Sequence, residues 1–186
     1  IGWRTWTNYS SSELFRKRIA SPQGDYEKTV ISIRDLVLNT EDELSQTASV
    51  GIGIPGALSR QTGLVKNANS TWLIGKPFQN DLATALGREI RLANDANCFT
   101  LSEAVDGVGK DMKTVFGVIL GTGVGGGLVI NKQVLEGCNA IAGEWGHNPM
   151  PWPQAGEVTG PECYCGLTGC IETYLSGPGL TRTFEN

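Results

Sequence analysis

The sequence predicts an α/β fold in two lobes. Three observations carry that prediction. From Asp25 onward, β-forming apolar runs alternate with stretches whose apolar residues follow a helical spacing. Apolar residues make up 40 % of the 186, enough to bury a core. A second block of strands begins after a break near residues 107–113, which divides the chain into lobes 1–110 and 111–186.

The elements follow in order. Residues 1–12 show no dependable period of either kind and are atypical of their lobe. Glu13 to Ile19 is expected as a short strand, closed by Ser21-Pro22-Gln23-Gly24. From Asp25 to about Glu43, the spacing of Val30, Ile33, Val37 and Leu44 predicts a helix capped by Asp25. Ala48–Ile54 reads as a buried strand stopped at Pro55-Gly56. Ala57–Ser59 and Leu64–Lys66 flank a hairpin turn, Arg60-Gln61-Thr62-Gly63. Pro77 to Arg88 predicts a helix with Leu82, Ala85 and Leu86 on one face. Ile90–Ala93 is a brief strand, followed at Asn94-Asp95-Ala96-Asn97 by a helix running to Asp106-Gly107. Thr114–Leu120 and Gly127–Ile130 are strands joined by the glycine-rich stretch 121–126. The chain is then loop-rich to Cys170, and Glu172–Leu175 starts another helix.

Composition removes several function classes. Twenty-five glycines are nearly twice the average usage of about 7 %, without the three-residue period of collagen. A net charge of −4 with no Lys/Arg cluster argues against a basic nucleic-acid-binding surface. No apolar run approaches the roughly 18 residues of a membrane span, and the opening residues do not read as a signal peptide. Five cysteines cannot all pair in one chain, and a reducing, cytoplasmic setting is the expectation. Cys98 and Cys138 are expected as small buried hydrophobes, and core or loop packing is expected of all five tryptophans.

Four groups of residues could carry chemistry. The glycine-rich turn after Leu120 can present backbone N–H groups to phosphate oxygens, with Thr122 adding a hydroxyl, or it can be a plain flexible hairpin. Asp95, where a strand meets a helix, can take a proton from an attacking hydroxyl, but Asp and Asn are also ordinary caps. His147, the only histidine, precedes Cys163, Cys165 and Cys170. Three thiolates and one imidazole make a closed tetrahedral zinc set of the structural kind, and Gly166 and Gly169 permit the bend that Cys-x-Cys demands. The plainer alternative is three reduced cysteines in a loop. Glu144 and Glu172 flank this segment and, with Asn69 and Asn94, could read a polyol; on spacing alone they are equally two solvated acids.

Gly143-Glu144-Trp145-Gly146-His147 followed by Cys163-Tyr164-Cys165-Gly166-Leu167-Thr168-Gly169-Cys170-Ile171-Glu172 resembles the signature of the ROK family of bacterial sugar kinases and sugar-operon repressors. Ile52-Gly53-Ile54-Pro55-Gly56, Asn94-Asp95-Ala96-Asn97 and Gly121-Thr122-Gly123 occur in that family's order. The stretches 65–72, 92–98 and 144–149 resemble its manno(fructo)kinase branch most. The resemblance spans roughly residues 13–180. It implies an actin-like, ribonuclease-H-like kinase fold with two lobes around a cleft, acting as an ATP-dependent hexose kinase on fructose, with mannose or glucose as weaker substrates.

By the same resemblance, Asp95 is the general base, and Gly56, Asn69, Asn94, Glu144, His147 and Glu172 contact the sugar. His147 serves both zinc and a sugar hydroxyl. Gly121, Thr122 and Gly123 hold the ATP phosphates, Mg²⁺ bridges the triphosphate, and zinc on His147, Cys163, Cys165 and Cys170 is structural. The implied partners are a hexose, ATP and a second copy of the chain, with neither nucleic acid nor membrane. Two departures fall on the nucleotide side. The opening Ile1-Gly2-Trp3-Arg4 lacks the family's Asp-x-Gly-Gly-Thr-Lys loop, and the second lobe is expected to be incomplete at Asn186. The competing readings are a sugar-responsive repressor, for which residues 1–24 show no helix-turn-helix, and a non-catalytic, zinc-stapled sugar-binding fragment.

Overall fold

Asp25 does cap a helix. Its carboxylate accepts the Lys28 N–H at 2.9 Å, and α1 (Tyr26–Leu44) follows, burying Thr29, Ile33, Leu36, Val37 and Thr40 on one face. The helix ends at Ser45, whose left-handed φ of 51° turns its N–H back onto the last turn. These features belong to a computed structural model that describes residues 2–7 and 10–185, with side chains from residue 13.

The chain divides into two compact units, Ile1–Asn94 and Asp95–Asn186. The division falls before the position near residue 110 expected from sequence. Its cause is α3 (Asp95–Val105), which packs on the strands that follow it.

In the first unit, β1 (Gly2–Thr7) and β2 (Ser10–Arg18) form an antiparallel hairpin. Strand structure therefore begins well before Glu13, in a stretch without sequence periodicity. The packing expected of Trp3 and Trp6 falls outside the described side chains. Strands β3 (Val50–Ile54) and β6 (Ile90–Asn94) pair in parallel, Val50 opposite Ile90 and Ile54 opposite Asn94. Between them lie the short hairpin β4 (Ala57–Leu58) and β5 (Val65–Lys66), a 3₁₀ turn at Thr71–Leu73, and α2 (Phe78–Leu86). Ile33, Val37, Val50, Ile54, Val65, Leu73, Phe78, Leu82 and Ile90 meet in one buried apolar cluster. Trp72 packs on its edge and donates its indole N–H to Thr29 Oγ1 at 3.0 Å. Arg88 and Glu41 bridge the ends of α2 and α1 at 2.7 Å.

In the second unit, β7 (Thr114–Leu120), β8 (Val124–Ile130) and β9 (Gln133–Val134) form an antiparallel sheet. The turn between β7 and β8 is only residues 121–123, so Gly125 and Gly126 lie inside a strand and not in the loop expected from sequence. Packing explains them. A Cβ at Gly127 would lie 2.6 Å from Thr100 Oγ1 of α3, and one at Gly126 would lie 2.8 Å from the Gly117 carbonyl. Gly117, Gly126 and Gly127 thus serve close approach of helix and strands. After β9 come a long loop segment, α4 (Ile171–Leu175) and α5 (Gly177–Glu185), a helix that its Gly-Pro-Gly start conceals in the sequence. Among the described residues no helix is long and apolar enough to cross a membrane.

Candidate functional site

The residues singled out in the first unit come together at the end of the β3–β6 pair. Gly56 has φ +109°, and a Cβ there would lie 2.7 Å from the Lys66 carbonyl and 2.9 Å from Ala68 Cα, so only glycine fits without a shift. The Asn94 amide donates to the Gly56 carbonyl at 3.0 Å. Asn69, exposed on the loop after β5, follows Ala68 directly.

In the second unit, four titratable groups share one electrostatic neighbourhood. Asp95 opens α3 and accepts the Ala96 N–H at 2.9 Å. Burial raises its carboxyl above the ordinary value, and the backbone N–H groups of Ala96 and Asp95 only partly offset this. Burial likewise raises Glu144, with His147 lowering it and the negative charges of Asp95 and Glu172 raising it further. Glu172 is buried at the start of α4. Its own N–H donates to the Gly146 carbonyl at 2.8 Å, and its carboxylate accepts the Val124 N–H at 2.8 Å, beside the Gly121–Gly123 turn. Asp95 is the first residue of α3, its carboxylate accepting the next N–H and its proton affinity raised by burial.

The zinc-type donors converge. The ligand atoms of His147, Cys163, Cys165 and Cys170 all lie within 4.8 Å of one another. Cys163 Sγ is 3.4 Å from His147 Nδ1, and Cys165 Sγ is 3.6 Å from Cys170 Sγ. Donors on a tetrahedral zinc with Zn–S about 2.3 Å and Zn–N about 2.0 Å would sit at comparable separations. The Cys170 thiol is pushed up to about 12, first by burial and then by Cys165 and Cys163. Thiols crowded in this way resist joint ionisation, and a dication relieves that. The donor set fits zinc. Gly166 (φ +89°) makes the bend between the cysteines, closed by Gly166 N–H to the Cys163 carbonyl at 2.9 Å.

The other imidazole nitrogen has a neighbour within the same segment. His147 Nε2 lies 3.0 Å from the Tyr164 hydroxyl, with the two rings edge to face at 5.1 Å. A metal on Nδ1 leaves the proton on Nε2, so Nε2 donates and the phenol oxygen accepts. Tyr164 is the variable residue of Cys-x-Cys, and nothing in its spacing signals this role.

Two further expectations fail. Cys98 and Cys138 are exposed: α3 buries Ala96, Thr100 and Ala104, leaving Cys98 off that stripe, and Cys138 lies in a surface turn. Trp152 is 90 % exposed with φ +51°, whereas Trp145 is partly buried and donates to the Gly125 carbonyl at 2.8 Å.

The ROK family profile matches residues 5–186. The chain belongs to the ROK family. A relative from Pectobacterium atrosepticum, an N-acetyl-D-glucosamine kinase, is 41 % identical over 180 residues, covering 94 % of this chain and 59 % of the relative. The crystal structure of the ROK hexokinase from Thermus thermophilus superposes with a TM-score of 0.74 at 29 % identity, over 93 % of this chain and 56 % of that one. A ROK glucokinase from Streptomyces griseus, in complex with glucose and AMPPNP, gives 0.74 at 27 % identity, over 92 % and 52 %. The fold is the actin-like, ribonuclease-H-like one expected from the motifs. The chain spans a little under three-fifths of the length of the Pectobacterium relative.

Proposed function

We propose that this ROK chain carries the sugar site and the catalytic base of an ATP-dependent hexose kinase. The carrying observation is Asp95, raised by burial and set beside Glu144, Glu172 and His147 in one unit. Phosphoryl transfer to an alcohol needs a base within reach of the attacking hydroxyl and groups that hold the rest of the sugar still. In this reading Asp95 takes the hydroxyl proton as the oxygen attacks the γ-phosphorus of ATP, and ADP leaves. The sugar-contact roles fall in the first unit to Gly56, Asn69 and Asn94 and in the second to Glu144, His147 and Glu172, with a sugar hydroxyl taking the place of the Tyr164 oxygen at His147 Nε2. The N–H groups of Gly121, Thr122 and Gly123 receive the phosphates. Mg²⁺ enters with ATP as part of the substrate and neutralises the triphosphate. His147, Cys163, Cys165 and Cys170 would hold zinc, which would supply a rigid frame for the segment bearing Glu172 and no part of the transfer.

The similarity of stretches 65–72, 92–98 and 144–149 to the manno(fructo)kinase branch favours D-fructose as the sugar. The Pectobacterium relative favours a second substrate, N-acetyl-D-glucosamine. A ketose and a 2-acetamido pyranose present different outlines, so a coupled ADP-release assay across fructose, mannose, glucose and N-acetyl-D-glucosamine separates them. In that assay Asp95→Asn should lower kcat by about 10²–10⁴-fold with little change in KM. The wild-type kcat/KM should fall on the acid side at a pH above the ordinary aspartate value, because the raised Asp95 must be ionised to act. Turnover within a few-fold of wild type in Asp95→Asn would remove the base assignment.

A further inference from the structure

The turn at residues 121–123 has little of its own to hold its shape. Two of its three residues are glycines, and within it Gly121 N–H donates to the Gly123 carbonyl at 2.9 Å. Its two feet are held from elsewhere. At one foot, Val124 N–H donates 2.8 Å to the buried Glu172 carboxylate; at the other, the Gly121 carbonyl accepts the Gly177 N–H at 2.7 Å. Both partners belong to one short stretch of chain. Ser176 N–H closes a helical turn onto the Glu172 carbonyl at 3.1 Å, so Glu172 and the residue before Gly177 share one turn. Cys170, two residues before Glu172, belongs to the zinc-type donor set, and the Glu172 N–H is anchored on Gly146, beside His147.

We propose that Glu172 is a positioning residue for the nucleotide as well as a sugar contact: its carboxylate grips the Val124 N–H and keeps the Gly121–Gly123 turn in its phosphate-receiving shape. This rests on the phosphate reading of that turn. Val124 is 5 % exposed, so its N–H has no ready water to replace a lost acceptor. A carboxylate is the stronger acceptor for such a group, and an amide oxygen at the same place still satisfies it. The segment bearing the zinc-type donors thereby reaches the turn through one side chain.

The test compares Glu172→Ala with Glu172→Gln in the full-length, zinc-loaded protein, with zinc content measured for each. Two readouts are taken without sugar: amide hydrogen exchange across residues 121–124 of the ligand-free protein, and AMPPNP affinity. Glu172→Ala should speed Val124 exchange and weaken AMPPNP binding, each by about tenfold. Glu172→Gln keeps an acceptor, so both readouts should stay within about twofold of wild type while sugar affinity falls. Unchanged exchange and nucleotide affinity in Glu172→Ala would overturn the proposal, as would an equal loss of AMPPNP affinity in Glu172→Gln. Faster exchange in Glu172→Ala, with no AMPPNP protection of residues 121–123 in the wild type, supports the grip and overturns the phosphate reading instead.

Discussion

The first unit and the metal-type segment of the second are held by opposite means. Between α1 and β6, ten aliphatic and aromatic side chains close on one another, and hydrogen bonds such as Trp72 to Thr29 sit at the margin. Between Ile141 and Cys170 little apolar surface is buried; Trp152, Val158 and Leu167 are exposed, and shape comes from backbone turns and four convergent donors. An apolar cluster holds its shape by contacts spread over many residues. A donor set concentrates the same task in four atoms and a cation.

Three experiments would break or sharpen that contrast. The largest effect is expected on metal removal. Structural zinc contributes on the order of 10 kcal/mol in small metallo-segments. Chelation, or Cys170→Ser, should therefore abolish hydrogen-exchange protection across residues 146–172 while leaving α1, β3 and α2 protected. Loss of protection in both units alike would show that they do not differ in this way.

Leu82→Ala makes the reverse cut. Leu82 is fully buried in the first unit's cluster, so truncation should cost about 2–5 kcal/mol in urea unfolding and leave the zinc stoichiometry unchanged. The smallest effect is expected from Glu41. Burial pushes its carboxyl up, but the hydrogen bonds from Arg88 and the Ala48 N–H more than offset this, and it titrates below its ordinary value of 4.5. A carboxyl lowered by folding stabilises the folded state above its unfolded value and loses that contribution as pH falls through the folded one. Glu41→Gln should therefore cost about 1 kcal/mol at neutral pH and flatten the acid limb of the thermal-stability profile below about pH 4.5. An acid limb of unchanged slope would separate this pair from the stability of the unit.

What could be read from the sequence follows the same division. Helix α1 was legible because its burial is periodic and its cap is a single aspartate. The donor set was legible because ligand chemistry restricts it to few residue types. Strand β1 was not, since a hairpin with register shifts at Trp6 has no clean alternation to display. Gly125 and Gly126 were misplaced in a loop because their reason lies across the sheet, in α3 and in the facing strand. The Val124–Glu172 bond spans 48 residues and uses a backbone N–H, which no side-chain pattern records.

The missing methyl groups of Gly117 and Gly127 let Thr100 of α3 sit directly against β7 and β8. Helix and strands are thereby held at close spacing, and α3 begins at Asp95 while β7 ends and β8 begins at the Gly121–Gly123 turn. Asp95 and the turn thus belong to one packed unit of helix and strands. On the proposed reading of Asp95 as the base, a substrate hydroxyl is brought to Asp95 while Asp95 and the phosphate-receiving turn keep their spacing.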